Sequence, residues 1–331
     1  MRRILTLARM AGITALAVGA TACGGDDAQD EGRPTIVVTT NVLGDVVSET
    51  VGDAARVEVI MPIGADPHTF SASARQATTM EDADLLVVNG AGFEASMDDL
   101  IDAVADGGTP VFAVADVVDL LPATGDDHDD ETHDDESVDD ESVDDHHHDG
   151  DADPHLWTDP TRVATAVDAL ADRVAELDGI DADAVRASAA GYRDTLDALD
   201  AEIADIVAAV PPERRLLVTN HRVFAYFADR YGFEVVGSVI PSVTTGGEAS
   251  ARQLEDLAAV IESSGVPAIF AETSGSTDLA DALADLVGGD VRVVELYTGS
   301  LGEPGSGADT YVGMMRTDAE LITEALTGSG A

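Results

Sequence analysis

An α/β fold of two lobes, each built on a mostly parallel four-stranded sheet and joined by one long spine helix, is predicted by three observations. Short apolar runs bounded by turn signals alternate with helical patterns along the whole chain, the signature of βα units. The runs divide four and four about the middle. Between the two groups lies a single uninterrupted helical stripe.

Strands are expected at residues 36–39, 57–61, 85–88 and 111–114, then at 216–219, 234–240, 268–271 and 291–295. In the stripe, apolar side chains recur at Val185, Ala189, Tyr192, Leu196, Leu199, Ile203, Ile206 and Val210, in steps of four and three, and Pro211-Pro212 stops it. A helix over 181–209 would run roughly 40 Å at 1.5 Å per residue. The competing reading is two shorter helices broken near Gly191. The expected organisation is a signal peptide at 1–22, a polar tether at 23–33, a first lobe at 34–180, a linking helix at 181–210 and a second lobe at 211–331.

Composition bounds the function. The chain has 331 residues, 65 acidic against 17 basic, and a net charge of −48. Such a field repels nucleic acid and anionic lipid and draws in cations; a general solubility or salt adaptation would give the same balance. Arg2, Arg3 and Arg9 precede an apolar run from Met10 to Ala22. That run is too short to span a bilayer and reads as an export signal. It ends in Ala20-Thr21-Ala22-Cys23, and Cys23 is the only cysteine, so no intramolecular disulfide can form. The segment resembles a bacterial lipoprotein signal, with Cys23 as the lipidated residue and Ala20 where Leu is usual. An ordinary secretory signal cut near Ala22 is the alternative. Both place the mature chain outside the cytoplasm.

Residues 126–149 differ in kind. Fourteen of these 24 residues are Asp or Glu, and His128, His133, His146, His147 and His148 are interspersed. With no aromatic, Leu or Ile, the segment cannot bury enough surface to offset ordering entropy. It reads as a surface loop that could gather divalent cations weakly, or as a plain solvated insertion.

The remaining histidines are His68, His155 and His221. Each falls just beyond the carboxyl end of an expected strand or on the loop after it, where open α/β sheets bind ligands. His155 lies in Asp153-Pro154-His155-Leu156-Trp157-Thr158-Asp159-Pro160, a loop stiffened by two prolines. Two histidines come from the first lobe and one from the second, so a metal site in the interlobe cleft is expected. For a fourth ligand from the second lobe, Asp309, after a glycine-rich loop, and Glu272, at a strand end, are close to equal on spacing. Asp309 could instead cap a helix over 311–326, and Glu272 could support a histidine from behind.

At these residues the chain resembles the solute-binding lipoproteins of metal-uptake ABC transporters, the zinc- and manganese-binding cluster. The matching pieces are Thr40-Asn41 with Asp45 and Val46; Asp66-Pro67-His68; Ala83 to Gly90; the Asp-Pro-His-x-Trp motif at His155; Asn220-His221 with Phe224, Tyr226 and Phe227; and Asp309-Thr310-Tyr311 with Met314 and Met315. They cover nearly all of the mature chain in order. The resemblance implies two α/β lobes bridged by a long helix, with His68, His155, His221 and Asp309 as ligands in preference to Glu272. It implies capture of an ion outside the cell and its delivery to a membrane permease driven by a cytoplasmic ATPase, by a monomer anchored through Cys23. Manganese-binding members usually carry Glu at the third position, where this chain has His221. Three imidazoles and one carboxylate suit Zn(II). Zinc-specific members also often have a His-rich acidic loop between the first two ligand histidines, as here. The expected role is therefore a zinc receptor and no enzyme. The alternatives are the same receptor for Mn(II) or Fe(II), a zinc hydrolase, for which no His-Glu-x-x-His helix is present, and an additional adhesion role, which nothing in the chain supports independently.

Overall fold

The computed structural model describes residues 32–123, 152–247, 249–288 and 291–328. In chain order the first half runs β1 (Thr35–Val38), α1 (Asn41–Val51), β2 (Arg56–Val59), α2 (Ala74–Glu81), β3 (Leu85–Val88), α3 (Asp98–Asp106) and β4 (Val111–Ala113). Helices α4 (Pro160–Val174) and α5 (Ala182–Val207) follow. The second half runs β5 (Leu216–Thr219), α6 (Ala225–Tyr231), β6 (Glu234–Ser238), α7 (Ala251–Ser264), β7 (Ala268–Glu272), α8 (Asp278–Val287), β8 (Arg292–Leu296) and α9 (Tyr311–Thr327).

All eight expected strands form, in two parallel sheets ordered β2-β1-β3-β4 and β6-β5-β7-β8. The two orders are the same. Helices cover both faces of the central strands, so β3 and β7 are buried throughout and are apolar except at Glu272, the last residue of β7. Local chemistry starts and stops the helices where the sequence asks. Ser73 with Gln76, and Ser250 with Gln253, form capping boxes at α2 and α7. Asp159 caps α4 with Pro160 in its first turn. Gly232, Gly265 and Gly328 end α6, α7 and α9 in the left-handed conformation.

The spine α5 is one helix of 26 residues, about 39 Å long at 1.5 Å per residue. It runs through Gly191 without a break. A glycine there costs about 1 kcal/mol relative to alanine, and burial of Val185, Ala189, Tyr192, Leu196, Leu199, Ile203 and Val207 on one face outweighs it. That face packs on α1 and α4 from the first half and on α9 from the second. The same core continues from Ile36 and Leu85 to Phe270 and Leu326. Smaller clusters cover the far face of each sheet, around Met80 and Leu86 in one and Leu257 and Ile269 in the other. The two sheets thus share a central core, and Arg33–Ala331 forms one compact unit. Among the described residues no helix is long and apolar enough to cross a membrane.

Candidate metal centre

The carboxyl ends of both sheets supply the loops of the site. His68 lies on the loop after β2, His155 on the loop that enters α4, and His221 two residues beyond β5. The tripeptide Asp-Pro-His occurs twice, and the same side-chain-to-backbone hydrogen bond forms both times. Asp66 Oδ1 accepts from the backbone N–H of His68 at 3.0 Å, and Asp153 Oδ1 accepts from that of His155 at 2.9 Å. An aspartate that bonds the backbone two residues on closes a tight turn, and the intervening proline fixes its shape.

The two turns then diverge. Asp153 Oδ1 also meets the His155 ring, 2.8 Å from Nδ1. Asp66 instead turns its second oxygen to hydroxyls, Thr69 at 3.1 Å and Thr245 of the second half at 2.7 Å. The Nδ1 of His68 is left buried without a hydrogen-bond partner. His221 is held like His155. Its Nδ1 bonds Glu272 Oε1, while Thr298 Oγ1 donates to Glu272 Oε2 at 2.7 Å.

With both Nδ1 atoms tied to carboxylates, the Nε2 atoms of His155 and His221 face each other at 3.1 Å. Two nitrogens at that spacing could each lie about 2.0–2.1 Å from one ion, with an angle of about 100° between them, close to tetrahedral. His68 completes the cluster: one nitrogen from each of the three rings lies within 4.8 Å of the others. The rings are 7%, 1% and 1% exposed for His68, His155 and His221. Burial, reinforced by His155 and His221, pushes the pKa of His68 down to about 3. Burial also lowers that of His155, although Asp153 opposes the shift. Burial alone would raise the Glu272 carboxyl, but His221, Thr298 and Asn220 hold it down at about 2. At neutral pH both shifted rings are unprotonated and can donate lone pairs.

Aromatic and polar groups close the surroundings. Phe93 packs edge-on against His68, with ring centroids 4.9 Å apart, and Trp157 lies 5.3 Å from His155. Trp157 Nε1 donates to Thr298 O at 2.9 Å, and Tyr311 Oη donates to Trp157 O at 2.7 Å, so the His155 loop is tied to the second half. Tyr226 Oη accepts from Leu121 N at 3.0 Å and donates to Asp153 O at 2.5 Å.

The structure brings His68, His155 and His221 together and does not bring Asp309 to them. Asp309 is exposed. Its carboxylate accepts from Gly305 N at 2.9 Å and closes the glycine-rich loop on itself. The cap of α9 is its neighbour Thr310. Asp309 is thus outside the convergent group in this structure, and Glu272 sits behind His221. Asp153 carries a role that spacing did not single out, although the repeated Asp-Pro-His tripeptide was its signal. His128, His133, His146, His147, His148 and the rest of 126–149, together with Cys23 and the signal segment, lie outside the described residues.

Three convergent, buried imidazole nitrogens with two supporting carboxylates make a donor set that could hold a divalent cation. Residues 36–325 match the model of a family described as ZnuA, zinc-uptake complex component A, periplasmic. The chain is 30% identical over 327 residues to the zinc-binding protein TroA of Treponema pallidum, covering 98% of this chain and 96% of that one. It is 28% identical over 318 residues to the manganese-binding lipoprotein MntA of Halalkalibacterium halodurans, covering 95% and 97%. The solved structure of the periplasmic zinc-binding protein TroA from Treponema pallidum matches with a TM-score of 0.77 at 30% identity, over 89% of this chain and 99% of that one.

Proposed function

This chain belongs to the zinc-uptake complex component A family, and from that premise we propose that it captures Zn(II) outside the cytoplasm and delivers it to an ABC permease for import. The observation that carries the reading is the convergence of His68, His155 and His221, with His155 and His221 each backed by a carboxylate. Among the described residues no carboxylate oxygen joins that convergent set. An all-nitrogen set favours zinc, whereas manganese prefers oxygen ligands. The likeness to a manganese-binding lipoprotein supports the second reading, the same receptor with Mn(II) as cargo. In either case the ion is cargo and no reaction is catalysed. The proposed partners are the membrane permease and its cytoplasmic ATPase, with Cys23 as the lipid anchor of a monomer on the outer face of the cell membrane.

The test is metal binding and uptake together. Competition against a chromophoric chelator should show one tight Zn(II) site in the full chain, and His155→Ala should abolish it; tight binding that survives the substitution would mean the site is elsewhere. In cells lacking other high-affinity uptake, the gene should restore growth under zinc limitation. Restoration under manganese limitation alone would decide for the second reading.

A further inference from the structure

The two halves of the site are supported differently. His221 has its carboxylate in direct contact. In the first half, a buried carboxylate acts one step further back. Glu94 is 2% exposed and lies beside the carboxyl ends of β1 and β3. Its Oε1 accepts from Thr39 Oγ1 at 2.7 Å and from Asn89 N at 2.7 Å, and its Oε2 accepts from Gly90 N at 3.1 Å. Burial raises its pKa, and these donors offset part of the effect.

The turn it holds would not keep its shape unaided. Gly90, Ala91 and Gly92 all have positive φ, at 81°, 53° and 71°. Ala91 is the one non-glycine residue with positive φ among the described residues, and such a residue costs about 1 kcal/mol or more. From this pinned turn three arms reach the metal site. The Asn89 side chain donates to Pro154 O at 2.9 Å, one residue before His155. Phe93 sets its ring 4.9 Å from His68, 5.8 Å from His155 and 4.5 Å from Trp157. Ser96 Oγ donates to His68 O at 2.7 Å. His68, the one histidine with an unpartnered Nδ1, is oriented by these neighbours and by the Asp66 turn.

We propose that Glu94 is a positioning residue for metal capture: by pinning the 89–93 turn to β1 it fixes the orientation of both first-half histidines, His68 and His155. The inference rests on the reading that the three histidines bind the ion.

Glu94→Gln tests it. The glutamine keeps one acceptor oxygen but turns an NH₂ toward a backbone N–H that cannot reverse. Zn(II) affinity of the purified full chain should fall about 10- to 100-fold, the range seen when groups behind metal ligands are removed. The visible spectrum of the Co(II)-loaded protein should shift in band position and intensity, because the ligand geometry changes. Val104→Ala, in the separate outer core of the same sheet, supplies the structural control. It should lower the denaturation midpoint and leave both affinity and spectrum unchanged. If Glu94→Gln does not fold, Phe93→Leu retains the carboxylate and removes one arm, and should show the same two changes. Wild-type affinity and spectrum in a folded Glu94→Gln protein, or in Phe93→Leu where it is the readout, overturn the proposal, as does an equal loss in Val104→Ala. Absence of tight binding in the wild-type chain would instead overturn the metal-site reading itself.

Discussion

Glu272→Gln separates support of a ligand from support of the fold. In the native site three donors meet two oxygens. His221 Nδ1 and, at 3.4 Å, Asn220 Nδ2 address Oε1, and Thr298 Oγ1 addresses Oε2 at 2.7 Å. A glutamine can keep its carbonyl toward His221. Its NH₂ then faces Thr298, whose hydroxyl can rotate and accept instead of donating. Few polar groups are stranded, so the fold should lose about 1 kcal/mol or less. What disappears is the negative charge behind His221, buried where screening is weak. The ion then meets a less basic imidazole and an uncompensated charge. Zn(II) affinity should drop about 10- to 100-fold, or about 1.4–2.7 kcal/mol. Chelator competition at pH 7.5 measures the affinity, and chemical denaturation of the metal-free protein measures the fold. Zinc binding within about twofold of wild type would refute the reasoning, and so would a stability loss as large as the affinity loss.

Two other outcomes follow from the same geometry. Asp309→Ala removes an exposed carboxylate whose partner is Gly305 N. A surface substitution of this kind shifts energies by about 0.5 kcal/mol or less, so Zn(II) affinity should stay within about twofold in the same competition assay; a loss of a hundredfold would place Asp309 in the ligand set. Acid should draw stability from the metal-free protein through His68. His68 has a folded pKa of about 3 against 6.5 for the free side chain, so between those values the unfolded chain binds more protons. Stability from this group is complete above about pH 6.5 and is lost as pH falls toward 3, with a loss of up to about 2 kcal/mol by pH 5. Because the raised carboxyls of Glu94 and Asp318 act in the opposite direction, the check is a comparison with His68→Gln at pH 8 and pH 5: acidification should cost the wild type more midpoint than the variant, and an equal change in both would contradict the reasoning.

The sheets were legible because their strands are short β-branched or aliphatic runs, such as Leu85–Val88, with turn signals at both ends. The spine was legible because one four-and-three stripe persists for seven turns, and tertiary burial carried it across Gly191. The convergence of the three histidines was legible at the strand ends for a topological reason: parallel strands send all their carboxyl ends to one edge. The same logic left Asp309 and Glu272 nearly equal, because a strand-end rule does not say how far a following loop travels. Between β8 and α9 the chain makes a turn with Gly305 and Gly307 at positive φ, and Asp309 is used to close it. Which side of an imidazole a carboxylate occupies also lay beyond spacing. Asp153 and Glu272 stand 2 and 51 residues from the histidines they support, and only the folded loops show that both address Nδ1 and leave Nε2 free.

Those two carboxylates also bear on how a buried site accepts a doubly charged ion. Three neutral imidazoles alone would leave a charge of +2 in a dry interior, where an unpaired charge is heavily penalised. Asp153 and Glu272 together bring −2, one bond behind the ligands, so the loaded centre is formally neutral. Placing the carboxylates behind the rings rather than on the ion has a second effect. The ion still meets nitrogen donors, which keeps the preference for a borderline-soft metal, while the compensating charge is fixed before the ion arrives. The carboxylates are themselves satisfied in the metal-free protein, Asp153 by the backbone and ring of His155, Glu272 by His221, Thr298 and Asn220. Those hydrogen bonds offset part of the cost of burying the two carboxylates before the ion arrives. His68 has no carboxylate behind its ring and is the most exposed of the three, and its orientation comes from the Asp66 turn, Phe93 and Ser96 instead.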